Sequence, residues 1–118
     1  TGLTTYKKAQ AEIKRVTALE EKYKYLKDII YFEIDKAYTD YQIALAKLRS
    51  AKDRIKYAEE MVRILALRYE HGIAKMVDLL DAQTQLDLAR FEHIQALKDL
   101  HQAYLEILLG GGRLKDSL

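Results

Sequence analysis

The sequence predicts an all-α fold, a long antiparallel coiled-coil helical hairpin, and three observations support this prediction. The 118-residue chain contains no proline, and three of its five glycines form the run 110–112. Between Leu3 and Leu109 the single helix-breaking residue is Gly72, whereas sandwiches, barrels and βαβ folds need many turn residues. On both sides of Gly72, apolar residues recur at alternating spacings of three and four, which is the heptad pattern of a coiled coil.

The first predicted helix covers residues 3–71 and would be about 100 Å long at 1.5 Å per residue. Two successive spacings of four near residue 30 form a stutter, which locally unwinds a left-handed supercoil. Downstream of the stutter, the seam alternates strictly and contains Ile34, Ala37, Tyr41, Ala44, Leu48, Ala51, Ile55, Ala58, Val62, Leu65 and Tyr69. This seam predicts that the helix packs along its length against a partner helix.

A turn at residues 71–75 follows, since Gly72 supplies the positive φ that often ends a helix. The second helix is predicted over residues 76–109. Asp78 and Asp81 lie in its first turns, where negative charges interact favourably with the helix dipole. Residues 1–109 would form the hairpin domain, and residues 110–118 a flexible C-terminal tail.

Alanines at every seventh position predict how the two helices pack. Folding the chain about the turn pairs Ala58 with Ala89, Ala51 with Ala96 and Ala44 with Ala103. Larger seam residues pair in nearly the same register, and their midpoint also falls in the turn. Small residues on both sides predict an interhelical distance near the lower end of the range of about 8–10 Å.

The hairpin leaves apolar surface uncovered at two places. The second helix would end level with residue 38, so residues 3–36 have no partner although they contain a run of apolar positions. A second apolar stripe lies beside each seam and contains Tyr31, Tyr38, Leu45, Ile94, Leu97, Tyr104 and Leu108. These features favour a ring or bundle of helices, and we expect the chain alone to self-associate.

Composition excludes several function classes. A net charge of +2 argues against a nucleic-acid binder, and the absence of cysteine removes thiolate chemistry. His93 lies in the seam without the Glu-x-x-His motif of bundle metal sites, so we expect a buried or partly buried histidine and no metal. No nucleophile–base pair and no phosphate loop is visible, which predicts a protein that is not an enzyme and has no cofactor.

Asp78 and Asp81 allow two interpretations from the residues alone. They lie three residues apart on one helical face, where they would interact favourably with the helix N-terminus. Around a symmetry axis, the same pair would form two rings of carboxylates, as in cation-selective constrictions.

Residues 68–83 resemble the signature of TolC-type outer membrane efflux proteins. The resemblance lies in Arg68-Tyr69-Glu70-His71-Gly72 followed by Val77-Asp78-Leu79-Leu80-Asp81-Ala82-Gln83, with similar flanks at residues 33–38 and 89–104 and a similar end at residues 108–110. It extends over essentially the whole chain.

The resemblance implies a homotrimer that combines an outer-membrane β-barrel with a long periplasmic α-barrel. This chain would be the hairpin of the second structural repeat, and residues 3–36 would pack on helices of the first. An initiator methionine, a signal peptide and an apolar run of about 20 residues are all missing from the sequence, which is expected of a piece whose membrane strands lie elsewhere.

The resemblance also implies roles for the tip. Asp78 and Asp81 would line a closed entrance, and Tyr69 would take part in the links that hold it shut. The turn residues would contact a periplasmic adaptor protein connected to an inner-membrane pump, and they are His71, Gly72, Ile73, Ala74 and Lys75. The family has a gating arginine two residues after the glycine, and this chain has Ala74 there.

Two other functions remain open from the sequence. One is a coiled-coil scaffold, cytosolic or periplasmic, whose seam recruits partner helices. The other is the helical hairpin of a periplasmic adaptor, which is normally flanked by lipoyl-type β segments. Of the three functions, we expect that this chain is the segment of an efflux channel, which forms a conduit and catalyses no reaction.

Overall fold

The computed structural model describes the backbone of residues 1–117 and the side chains of residues 1–110. Helix α1 spans Gly2–Glu70 and helix α2 spans Met76–Ser117. The two helices pack along each other to form a rod with extents of 105 × 20 × 13 Å. Residues 1–117 contain no β-strand, so the predicted all-α hairpin is confirmed.

The buried core of the hairpin is a ladder of alanines with leucine on either side. Ala51 and Ala96 are buried in one cluster with Leu48, and Ala58 and Ala89 are buried in another with Leu86. The buried hydrophobic residues are Ala37, Ala44, Leu48, Ala51, Ala58, Ala82, Leu86, Ala89, Ala96 and Ala103. The pairing of small residues predicted from the heptad spacing is therefore confirmed.

Larger side chains close the ladder at its edges. Ile55 and Val62 of α1 pack half-buried against the cluster that contains Leu86. Toward the open end of the hairpin, the rings of Tyr41 and Tyr104 lie 6.5 Å apart between centroids and are tilted by 50°. This tyrosine pair packs across the two helices, as tyrosines on a coiled-coil stripe usually do.

Helix α2 is longer than predicted, because it continues through Gly110 and ends at Ser117 instead of residue 109. Gly110 follows Ala103 by seven residues and is itself buried, so it takes the next small-residue position of the ladder. A Cβ atom at this position would lie 3.4 Å from Cγ1 of Ile34. Glycine in a helix costs about 1 kcal/mol relative to alanine, which does not by itself end a helix that is packed on one side. The flexibility predicted for residues 110–118 stays a prediction, and Leu118 lies outside the described residues.

The longer second helix also shortens the part of α1 that lacks a partner. Residues 1–29 are all exposed, whereas Ile30 and Ile34 are half-buried. The predicted unpartnered segment 3–36 is thus too long at its C-terminal end, because α2 reaches past the level of Ile34. Val16, Leu19 and Tyr23 of the remaining arm are 48–58% exposed.

The outer faces of the rod combine apolar side chains with charges paired along each helix. In the second apolar stripe, Leu45 is half-buried, and the exposed members are Tyr31, Tyr38, Ile94, Leu97, Tyr104 and Leu108. Arg63 donates hydrogen bonds to Glu60, and these bonds lower the pKa of the Glu60 carboxyl below its ordinary value. Over the described part of the chain, neither helix has a stretch apolar enough to cross a membrane.

Candidate functional site at the tip of the hairpin

Helix α1 ends in a hydrogen-bonded turn of the Schellman type. The N–H of Gly72 donates to the carbonyl of Tyr69 at 3.0 Å, and the N–H of Ile73 donates to the carbonyl of Arg68 at 2.8 Å. Gly72 has a φ of 70°, which residues with a side chain rarely adopt. The Arg68 carbonyl also accepts the N–H of Ala74 at 3.2 Å, so the chain reverses within residues 71–75.

Asp78 caps the start of α2. Its carboxylate accepts the backbone N–H of Lys75 at 3.1 Å, while the carbonyl of Lys75 accepts the N–H of Asp78 at 3.1 Å. This reciprocal pair corresponds to one half of a capping box, in which an acidic side chain reaches back to the N-cap residue. Asp78 therefore stabilises the end of the turn, in addition to any role that its charge has.

Asp78 and Asp81 line the same groove on one side of the hairpin. The groove has a volume of about 590 Å³ and runs between the two helices from Asp78 toward Glu92. Helix α1 contributes Tyr57 and Met61 to its wall. The structure thus brings the two predicted aspartates together on one surface just beyond the turn.

The other predicted site residues lie around the turn. Tyr69 is 40% exposed and is not among the residues that line the groove, so within the described residues the structure does not bring it together with the two aspartates. His71, Gly72 and Lys75 are exposed, Ala74 is half-buried, and Ile73 is 75% exposed. These five residues form the outermost surface of the hairpin.

Two features of this region were missing from the prediction. Met76, Val77 and Leu80 are 46–57% exposed, so the beginning of α2 presents apolar side chains to solvent. The exposure of these three residues could have been predicted, because their positions lie outside both the seam and the second apolar stripe. Arg54 forms an ion pair with Glu92 at the far end of the groove, and the register that pairs Ala51 with Ala96 also brings these two residues level.

The histidines do not form a metal site among the described residues, where no group of three His, Asp or Glu side chains converges. His93 is half-buried in the seam, as predicted, and lines a surface depression together with Ile55. Its Nε2 atom is buried and has no hydrogen-bond partner among the residues whose side chains the structure describes. This makes His93 a local weakness in the seam.

Comparison with protein families matches residues 5–111 of the chain to the outer membrane efflux protein family. No curated protein and no solved structure gives a significant match. The matched segment contains nearly all of α1, the turn, the groove and α2 as far as residue 111. Because it extends over far more than half of the sequence, this chain belongs to the outer membrane efflux protein family.

Proposed function

We propose that this chain is the periplasmic α-barrel segment of an outer-membrane efflux channel. In this proposal it forms part of the wall of a conduit that is gated at the hairpin tip and docks an adaptor protein there. Membership of the family supports the proposal, since outer membrane efflux proteins are a non-enzymatic transport family. They generally form trimers and interact with adaptor proteins. This chain would accordingly serve the passage of substrates through the channel and would not catalyse a reaction.

The position of Asp78 and Asp81 is the observation that carries the proposal. Both side chains line one groove immediately beyond the turn. In a trimer whose tips converge on an axis, three copies of each aspartate would form two stacked carboxylate rings. Rings of this kind favour the entry of cations into a constriction.

Gating would consist of a movement of the tips away from the axis. Like charges that are held close together raise the free energy of the closed state, so that state needs compensating bonds. Tyr69 is a candidate for one such bond, because it lies at the end of α1 and is 40% exposed. Loss of these bonds would favour the open state.

The outer surface of the turn would contact the adaptor. Residues 71–75 form this surface, and Ile73 has the largest exposure among the large apolar residues whose side chains the structure describes. An adaptor would in turn connect the channel to an inner-membrane pump. The exposed arm at residues 1–29 would pack on helices of the first repeat in the complete protein, and membrane contact would come from strands outside this chain.

Ion selectivity of the complete trimer tests the proposal. In a planar bilayer under a salt gradient, we expect a reversal potential that indicates cation selectivity. Asp78→Asn combined with Asp81→Asn should move the reversal potential toward zero, because both charges are lost. The side-chain amide oxygen introduced at position 78 can still accept the Lys75 N–H, so the start of α2 should remain capped.

Asp87→Asn provides the matched control, since Asp87 lies on α2 but does not line the groove. This variant should keep the wild-type reversal potential. An unchanged potential in the double variant would disprove the gating role of the aspartates. Complete absence of conductance in the wild-type protein would favour the scaffold interpretation instead.

A further inference from the structure

We propose that the exposed arm of α1 binds the surface of a membrane that contains anionic phospholipids, through a basic stripe on one face of the helix. The arm is residues 1–29, which α2 leaves uncovered. The basic stripe consists of Lys7, Lys8, Lys14, Arg15 and Lys22. The inference goes beyond the proposed function and does not rest on it, because it concerns the end of the rod that lies opposite to the turn.

The positive charge of the chain is concentrated at the beginning of the arm. Residues 1–19 contain four basic residues and one acidic residue, Glu12, which gives a net charge of +3. Residues 20–118 contain 16 basic and 17 acidic residues, which gives a net charge of −1. A concentrated positive charge attracts an anionic surface even when the net charge of the whole chain is small.

The residues of the basic stripe lie on two neighbouring lines along the helix. Lys7 and Lys14 are seven residues apart, and the same spacing separates Lys8, Arg15 and Lys22. At 3.6 residues per turn and 1.5 Å per residue, the two lines cover about one-third of the helix circumference and about 22 Å of its length. The five side chains can therefore contact one flat surface at the same time.

The charges of the stripe are available to a partner. Arg15 forms an ion pair with Glu12 at 3.0 Å, and both side chains remain more than 60% exposed. Among the described residues, the four lysines of the stripe form no ion pair. Near an anionic lipid surface, each such ammonium group strengthens binding roughly fivefold.

Exposed apolar side chains continue the same face and favour a lipid surface as the partner. Tyr25, Ile29 and Phe32 follow the stripe along the helix and are 66%, 36% and 68% exposed. Basic and apolar side chains together are typical of helices that lie in a membrane interface, and tyrosine is enriched at the level of the headgroups. The phosphate groups would contact the lysines, and the apolar side chains would enter the boundary between headgroups and acyl chains.

The stripe is separate from the surface that packs on other helices. The seam residues Val16 and Tyr23 lie about 100° or more from the middle of the stripe around the helix, at 100° per residue. A helix that covers the seam would therefore leave the stripe accessible. Lipid binding and helix packing can thus occur on the same arm.

Co-sedimentation of the 118-residue chain with lipid vesicles tests the inference. We expect saturable binding to vesicles of phosphatidylglycerol and phosphatidylcholine, and binding weaker by at least about tenfold to vesicles of phosphatidylcholine alone. Raising the salt concentration from about 0.1 M to about 1 M should release the protein, because the Debye length falls from about 10 Å to about 3 Å. Inorganic phosphate should displace it no better than NaCl of the same ionic strength, since free phosphate offers no extended surface.

Two triple variants distinguish the stripe from net charge. The stripe variant replaces three lysines of the arm, Lys7→Gln, Lys8→Gln and Lys14→Gln. The control variant makes the same change at three exposed lysines of the hairpin, Lys47→Gln, Lys52→Gln and Lys56→Gln. The stripe variant should bind the anionic vesicles on the order of 100-fold more weakly, and the control less than about threefold more weakly. Glutamine and lysine have similar helix propensities, so circular dichroism should show unchanged helicity in both variants.

A tryptophan on the arm locates the contact, because the chain contains no tryptophan of its own. Tyr25→Trp introduces one beside the stripe, and Tyr57→Trp introduces one on the hairpin part of the same helix. The replaced side chains are 66% and 70% exposed, so the two positions are matched. Anionic vesicles should shift the emission of the Tyr25→Trp variant to shorter wavelength and leave that of the Tyr57→Trp variant unchanged.

Four results would each overturn the inference. Equal binding to both kinds of vesicle would show adsorption through apolar side chains alone. An equal loss of binding in the two triple variants would show that only net charge matters. An emission shift in both tryptophan variants, or in neither, would show that the arm is not the contact. Equal affinity for a DNA duplex at the same salt concentration would indicate a surface for polyanions in general.

Discussion

Arg54 of α1 and Glu92 of α2 form an ion pair that joins the two helices, with 2.5 Å between Nη1 and Oε2. The pair lies at the surface, since the two side chains are 62% and 39% exposed. Solvent screening limits such pairs to about 0.2–1 kcal/mol. A double-mutant cycle with Arg54→Gln and Glu92→Gln should therefore give a coupling energy within this range in urea unfolding. A coupling energy of zero would show that the pair does not contribute to hairpin stability.

The alanine ladder should not tolerate a larger side chain. Ala51 is 5% exposed and packs in a cluster with Leu48 and Ala96. Ala51→Leu should lower the free energy of unfolding by about 1–3 kcal/mol, because extra methylene groups force the helices apart. Ala46→Leu changes the same residue type at an exposed position of α1 and should leave stability nearly unchanged. Equal effects of the two substitutions in urea unfolding would contradict the ladder.

The turn should require glycine at position 72 because of its backbone conformation, and not because a larger side chain would clash with its neighbours. A Cβ atom there would meet no atom within 4 Å, but the φ of 70° is unfavourable for alanine. Gly72→Ala should destabilise the hairpin by about 1–2 kcal/mol, the cost of a left-handed conformation for a residue with a Cβ atom. Gly2→Ala is the control, since Gly2 lies in open space at the start of α1. Equal melting temperatures of the two variants would show that the positive φ of Gly72 is not needed for the stability of the turn.

A substitution at Gly110 tests whether α2 continues as a packed helix beyond residue 109 or becomes a flexible tail there. A methyl group at this position would make an ordinary van der Waals contact with Ile34 at 3.4 Å. Gly110→Ala should raise stability by about 0.5–1 kcal/mol, because alanine loses less backbone entropy in a helix. Circular dichroism during thermal unfolding measures the gain. An unchanged melting temperature would favour the flexible tail.

His93 should be replaceable by an apolar residue with a gain in stability. Within the described part of the chain, its buried Nε2 atom has no hydrogen-bond partner. An unsatisfied buried polar group costs about 1–3 kcal/mol. His93→Leu should therefore raise the free energy of unfolding by about 1 kcal/mol or more. His101→Leu is the comparison, because His101 is exposed on the same helix and should change stability little. A loss of stability in His93→Leu would show that water or another group satisfies the imidazole.

The fold was predictable because the small and the large residues of the heptad seam lead to nearly the same register. The heptad seam gave both helices, and the alanines at every seventh position gave the pairing of Ala51 with Ala96 and of Ala58 with Ala89. The end of α2 was not predictable by the same reasoning, because a glycine run usually indicates a break. Gly110 occupies the next small-residue position of the seam. This position predicts a continued helix only when a packing partner such as Ile34 is known to lie beside it.

The candidate site was predictable in part. Asp78 and Asp81 lie on one helical face by spacing alone, and the groove that both of them line depends on the opposite helix. The hydrogen bond from Lys75 to the Asp78 carboxylate follows from the position of the helix start, which sequence patterns locate only within a few residues. Exposure of Met76, Val77 and Leu80 depends on which surfaces the second helix leaves uncovered.

The turn described above limits how the tip can move. Its first four residues, 71–74, donate backbone hydrogen bonds to the last turn of α1, and the carbonyl of Arg68 accepts two of these bonds. Such a short connection has no spare length, so α2 cannot slide along α1 unless these bonds break. A register shift would also bring leucines against the positions that alanines now occupy. In the proposed gating movement, the two helices would therefore move together as one rigid hairpin, without sliding along each other.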